Sequence, residues 1–301
     1  MNETHDSSPP EIPMLNEVIA VRARGAPRPH SIHVAGLAAA ENDGIRIRDR
    51  DLRAFCRRLL SWSEARAALI DGAVNDLLTS AVRGTPIALR GVSDLVPVAY
   101  ALHRRILGPE RPFVVCDRRR NEGDGSVRAP PSRQTCVLAL EAARGGSLCL
   151  RANRLPSDFD YLCRSLREGR QAATVFVCLC DEDSIRDLWC RPLEIPALSA
   201  HAPESGLLVQ EVFDDAALEL ETSSLRLPRA MRQNILDRVA SFSELEKTAL
   251  RVVALASSRN ISQAATRLGM APVSLTRWLE RRRWLRAILS DLNATLNQAD
   301  K

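Results

Sequence analysis

Pro86-Ile-Ala-Leu-Arg-Gly-Val-Ser-Asp-Leu-Val-Pro-Val-Ala-Tyr-Ala-Leu-His-Arg-Arg-Ile-Leu-Gly-Pro-Glu-Arg-Pro-Phe-Val-Val-Cys116 changes its hydrophobic period twice. Ile87–Leu89 is a short run apolar on both faces. Val96–Ile106 carries its apolar residues at helical spacing, and Phe113–Cys116 is apolar throughout again. Short two-faced runs separated by a helix suit a parallel sheet covered on both sides. Working outward, Ser147–Leu150, Thr174–Leu179 and, more weakly, Leu193–Ile195 repeat the strand pattern; Cys136–Ala143 and Phe159–Arg167 repeat the helical one. The expected fold class is therefore α/β. Leu52 to Val82 reads as two helices, Asn121–Arg133 as a mobile Gly/Pro/Arg loop, and Ala202–Ser224 as an acidic linker with a helix. From Leu227 onward the pattern is all helical.

The chain of 301 residues has room for about two domains, and 45% hydrophobic with 26% charged residues is the balance of a soluble globular protein. Aromatics are only 4%, so the core must rest on Leu, Val, Ile and Ala. No apolar run approaches the roughly 18 residues of a membrane span, and Met1–Pro10 is polar and acidic, unlike a secretory signal. A cytoplasmic location is expected, with no membrane partner. Residues 1–30 are rich in Pro, Ser and charge, and their start is expected to be disordered. Eight cysteines occur without a CxxC pair and read as small buried hydrophobes rather than as a metal or disulfide framework. The net charge of +5 is mildly basic, but five arginines against Glu280 crowd the span Arg277–Arg286. The basic residues are almost all arginine; the two lysines are Lys247 and Lys301.

Near the end of the chain the local signals are strong. Ser241 with Glu244 and Ser243 with Glu246 form overlapping capping boxes that open a helix reaching about Ala256. Asn260 caps a second helix, Ile261–Leu268. Gly269 supplies a left-handed turn, and Pro272 suits the first turn of a third helix running at least to Arg283. Ala264, Ala265 and Leu268 would bury one helix against Val273 or Leu275 with Leu279 of the other. The outer face of the third helix would then show Ser274, Thr276, Arg277 and Arg281, with Arg267 and Arg282 beside it. Arginine can read guanine bidentately, and hydroxyls can hold phosphates, so these six are the candidate DNA-binding residues. A plain packing hairpin is the alternative, but it has no need of arginines on its outer face. Trp278, Trp284, Leu285, Ile288, Leu289 and Leu292 extend an apolar stripe beyond the turn, for the body of the chain or a second copy.

The run Asn260-Ile-Ser-Gln-Ala-Ala-Thr-Arg-Leu-Gly-Met-Ala-Pro-Val-Ser-Leu-Thr-Arg-Trp-Leu279 resembles the Fis-type helix-turn-helix over about 40 residues of chain. Upstream, Ile87–Gly91, Val98–His103, Arg111–Cys116, Ala142–Ala152, Leu155-Pro156, Leu162–Leu166, Leu193–Leu198 and Leu227–Asn234 resemble, in order, the AAA+ domain of the enhancer-binding activators of sigma-54 RNA polymerase. The resemblance implies an AAA+-like parallel sheet with flanking helices, an all-α lid and a C-terminal helix-turn-helix. It divides the chain into a variable segment at 1–50, a degenerate AAA+-like domain at 51–200, a lid-like segment at 201–240 and the Fis-type domain at 241–301.

The chemistry that family carries is missing. A P-loop needs glycines against the phosphates, a Lys for the terminal phosphates and a Ser/Thr for magnesium. Here Gly91-Val-Ser-Asp-Leu-Val-Pro97 is two residues short, places Leu95 or Val96 at the Lys position, and adds Asp94, which repels phosphate. Arg151 and Ala152 stand where the Walker B carboxylates belong, the GAFTGA loop is absent, and Ser199-Ala-His201 falls near the arginine-finger position. Arg232 matches the nucleotide-sensing arginine of the lid, although a structural ion-pair residue is the better reading of it. His30 and His33 have no carboxylate or Cys close by to complete a metal site, Asp181-Glu-Asp183 could look like a cation site but reads better as a negatively charged loop, and no GxSxG context surrounds any serine. The expectation is a non-enzymatic, cofactor-free transcriptional regulator that binds double-stranded DNA as a homodimer or higher oligomer. The alternative is a pseudo-ATPase that modulates homologous activators, with DNA binding secondary.

Overall fold

A computed structural model describes residues 50–60, 67–169, 172–180, 190–198, 206–285 and 288–289, all within one compact unit, Ile47–Lys301. His30, His33, Asp181, Glu182, Asp183, Ser199, Ala200, His201 and Leu292 lie outside the described residues. In chain order the elements are α1 (residues 50–59), α2 (Ala67–Arg83), β1 (Ile87–Arg90), α3 (Val96–Ile106), β2 (Phe113–Cys116), β3 (Ser132–Arg133), α4 (Cys136–Ala142), β4 (Ser147–Arg151), α5 (Phe159–Arg167), β5 (Thr174–Leu179) and β6 (Leu193–Glu194). The helices α6 (Gly206–Glu219), α7 (Arg229–Leu236), α8 (Phe242–Ala256), α9 (Ile261–Arg267) and α10 (Pro272–Arg281) follow. The fold is α/β, with β1, β2, β4, β5 and β6 where the two-faced apolar runs predict them.

The sheet is six-stranded in the order β3-β2-β4-β5-β1-β6, and every pairing is parallel. Side chains alternate across a strand, so each apolar run feeds two cores. Ile87, Leu89, Phe113, Val115, Cys149 and Phe176 face one cluster. Ala88, Val114, Leu148, Leu150, Val175 and Val177 face the other, which α4 and α5 cover with Cys136, Ala139 and Leu162. The first cluster continues without a break through α1, α3 and α6 into Phe242, Leu245 and Ala249 of α8, and on to Leu268, Leu275 and Leu279. The C-terminal helices therefore share their core with the sheet. Each fully buried Leu or Val in this seam contributes roughly 1.5–3 kcal/mol.

Because all strands are parallel, the loops after β1, β2, β4 and β5 emerge along one edge. Gly91 ends β1 there: its N–H donates to Leu179 O at 3.2 Å, and a Cβ would stand 2.9 Å from Ile195 O. Close approach of the β6 backbone is a sufficient reason for this glycine.

Three local expectations change. The Asn121–Arg133 segment, expected as a mobile loop, folds back on itself, with Ser132 N–H donating to Gly123 O at 2.9 Å and Ser126 exchanging bonds with Ala129. Its end forms β3 beside β2, and Gly125 turns the chain at φ 89°. Only the first capping box forms: Ser241 Oγ accepts from Glu244 N at 3.2 Å, while Glu244 Oε2 accepts from Ala240 N at 3.0 Å. Helix α10 stops at Arg281 rather than Arg283, because Arg282 leaves helical geometry (φ −120°, ψ 58°) as its guanidinium turns to Glu244.

Candidate functional site

The C-terminal unit is built as its sequence dictates. Asn260 Oδ1 accepts from Gln263 N at 2.9 Å, and Gln263 Oε1 accepts from Arg259 N at 2.9 Å, a reciprocal cap that fixes the start of α9. Gly269 at φ 60° ends it, and Met270 N–H donates to Ala265 O at 2.9 Å. Ala264 and Ala265, both fully buried, let α10 cross closely; Leu275, Trp278 and Leu279 are its buried face. Of the two residues offered for that face, Leu275 is buried, and Val273 is 60% exposed. The stripe after the turn packs on this chain, since Leu285 and Ile288 are buried.

The six candidate residues separate into two groups. Ser274, Arg277 and Arg281 are exposed on α10, with Thr276 half-buried beside them. Among the described residues the Arg277 and Arg281 side chains make no hydrogen bond or ion pair. Arg267 and Arg282 are engaged within the chain. Arg267 donates to Ser257 O at 3.1 Å, to Ser257 Oγ at 2.7 Å and to Leu220 O at 2.5 Å, tying the end of α9 to the end of α6. Arg282 pairs with Glu244 and lies 5.2 Å from the Trp278 ring centroid.

Sequence reasoning did not single out Arg128. Its Nε donates to Leu268 O at 2.7 Å and its Nη2 to Gly269 O at 2.6 Å, so the folded-back loop of the α/β body grips the turn between α9 and α10. Nothing local to Arg128 signals this, because its partners are backbone atoms 140 residues away.

The carboxyl edge of the sheet is the second place the sequence points to. Arg151, at the end of β4, donates bidentately to Asp94 (Nε to Oδ1, 3.1 Å; Nη2 to Oδ2, 3.0 Å) and to Asp117 Oδ2 at 3.1 Å. Arg154 adds a bond to the same Asp117 oxygen at 3.2 Å, and Asp117 is fully buried. Burial opposes charge on both Asp94 and Arg151. Their mutual bond and attraction outweigh it, holding the Asp94 carboxyl below, and the Arg151 guanidinium above, their ordinary values. The Asp94 carboxylate and the Arg151 guanidinium thus neutralise each other.

Above this edge a cleft of about 390 Å³ is roofed by α8, whose Ser243, Glu246 and Lys247 face Asp94 and Arg151. His103 is a satisfied core residue: it is fully buried between Ser147 Oγ (2.8 Å) and Arg111 O (3.1 Å), and burial lowers its pKa to about 4. Arg232 packs its buried Nε against Gly206 with no hydrogen-bond partner for that atom. Cys56, Cys116, Cys136, Cys149, Cys163 and Cys178 are buried, as expected, whereas Cys180 is exposed and Cys190 half-buried. Among the described residues no helix is long and apolar enough to cross a membrane, and no His/Cys/Asp/Glu group could hold a metal ion.

No family model and no curated protein matches the chain. Among solved structures, NtrX from Brucella abortus in complex with ADP aligns over 89% of this chain and 80% of that one, with 16% identity and a TM-score of 0.38. A lysine-to-arginine mutant of Thermotoga maritima RuvB aligns over 70% of this chain and 67% of that one, with 12% identity and a TM-score of 0.35.

Proposed function

We propose that this chain is a sequence-specific DNA-binding transcriptional regulator, and that its AAA+-like α/β body is a scaffold that turns over no nucleotide. The observation that carries the reading is the outer face of α10. Ser274, Arg277 and Arg281 are exposed and unengaged on a helix whose opposite face is anchored by Leu275 and Leu279. A helix of this length fits a major groove, arginine forks match guanine, and the exposed Val273 methyls suit a thymine methyl. Thr276 and Ser274 are placed for phosphate or base edges. Arg267 and Arg282 act here as struts that set the tilt of the helix.

Loss of ATPase chemistry is supported by the Arg151–Asp94–Asp117 network, which fills the sheet edge with protein charge where phosphate and metal would need to sit. The regulator acts as a homodimer or higher oligomer, two half-sites about 34 Å apart giving the affinity a single unit lacks.

The test is selection of duplexes from a random pool by the purified chain, followed by anisotropy titration. Arg277→Ala and Arg281→Ala should each weaken the selected duplex about tenfold or more. Wild-type protein indifferent to every duplex at low salt would defeat the reading. A second reading, a pseudo-ATPase that joins homologous activators, draws support from Val137 and Leu138 of α4 and Tyr161 of α5, apolar side chains 43–46% exposed on adjacent helices.

A further inference from the structure

Between α8 and α10, on the flank of the C-terminal unit, lies a recess of about 230 Å³ to which the proposed function assigns no ligand. Lys247 and Arg251, one turn apart on α8, line it together with Arg282. Its single carboxylate, Glu244, is already held by Arg282 and by Ala240 N–H. The remaining cations are poorly satisfied. The ammonium of Lys247, one of only two lysines in the chain, has no hydrogen-bond or ion-pair partner among the described residues. Arg251 makes one long bond, Nη1 to Lys247 O at 3.5 Å, and its Nε is buried without a partner. Thr248, 1% exposed, forms the floor, and its hydroxyl is likewise unpartnered. Trp278 closes the wall, 4.8 Å from the Arg251 guanidinium. Burial, then the charges of Arg282, Arg128 and Arg281, hold the Arg251 pKa below the usual arginine value.

An excess of positive charge in a polar recess, walled by an aromatic ring and short of acceptors, is complementary to a small oxyanion. We propose that this recess binds a phosphate-sized oxyanion, seated against Lys247 Nζ and the Arg251 guanidinium, supplied as free phosphate or as the terminal phosphoryl group of a small molecule. The wall residues Trp278 and Arg282 each follow Arg277 and Arg281 by one position. Trp278 is thus turned about 100° around α10 from the face assigned to DNA, and Arg282, past the end of the helix, turns back to Glu244. A bound anion would bridge α8 to α10 and stiffen the unit, whether or not the chain reads DNA.

The experiment titrates inorganic phosphate into the full chain by calorimetry in a buffer free of phosphate and sulfate, with a duplex of random sequence as a second arm. One saturable site per chain is expected. Lys247→Gln and Arg251→Gln should each weaken it about tenfold or more. Lys247 is exposed and its ammonium makes no hydrogen bond among the described residues, so its substitution should lower the melting temperature without phosphate only slightly, through lost attraction to Glu246 and Asp94, which keeps the test meaningful even if Arg251→Gln destabilises the chain. Saturating phosphate should raise the wild-type melting temperature by mass action and not that of Lys247→Gln. Unsaturable binding, or unchanged affinity in Lys247→Gln, overturns the proposal. Stoichiometric displacement of phosphate by the duplex would also overturn it, by assigning the recess to the DNA backbone.

Discussion

Arg151 decides more than any other side chain in the body of the protein. Cutting it to Ala would leave the fully buried Asp117 with Arg154 and a backbone N–H, and Asp94 with no cation of its own on the sheet. Removing one member of a buried pair costs on the order of 3–5 kcal/mol, and Arg154 and the exposure of Asp94 place this case at or below the low end. Urea denaturation of Arg151→Ala should show that loss, and calorimetry should show no gain of ATP binding. Glu246 gives a residue-scale prediction in pH. Burial raises its carboxyl to about 7, against the help of Lys247 and with Glu219, Asp215 and Asp94 pushing the same way. A folded pKa above the ordinary 4.5 means the folded state holds the proton more tightly, so stability falls as pH rises from about 4.5 to 7. Glu246→Gln should therefore gain little over wild type at pH 5 and most at pH 8 in parallel thermal melts. Equal gains at both would show that this carboxyl is not the titrating group.

At the scale of elements, the caps and turns carry the predictions. Asn260→Ala removes the bond to Gln263 N and should cost about 1 kcal/mol. Gly269→Ala forces a Cβ into a left-handed conformation and should cost about 1 kcal/mol, although nothing crowds the site. Chemical denaturation measures both. These elements were legible in advance because their causes are local: Val96–Ile106, Phe113–Cys116, Phe159–Arg167 and Thr174–Leu179 have the bounds that hydrophobic period alone assigns. The candidate site was legible only in part. Exposure of Ser274, Arg277 and Arg281 follows from helical phase. The engagement of Arg267 by Leu220 and of Arg282 by Glu244 depends on where α6 and α8 pass, which spacing along one helix does not encode. Lys247 and Arg251 had a faint signal, two cations one turn apart on α8, but their recess exists only once α10 crosses α8.

For the whole molecule, the continuous core from the sheet to α10 implies one cooperative unfolding transition for the described unit. Scanning calorimetry of the chain should give a single endotherm, and a separate low-temperature melting of the C-terminal helices would contradict it. The grip of Arg128 on Leu268 O and Gly269 O adds a consequence for how such proteins can be recombined. A reader joined to its body by a tether can be exchanged like a cartridge. Here the body holds the turn of the C-terminal helical unit by its main chain, so a foreign unit grafted after Ala240 would inherit an arginine reaching for carbonyls at one particular place. Only grafts that keep the turn in register could be seated, and the pairing of C-terminal unit with α/β body becomes something that must evolve together.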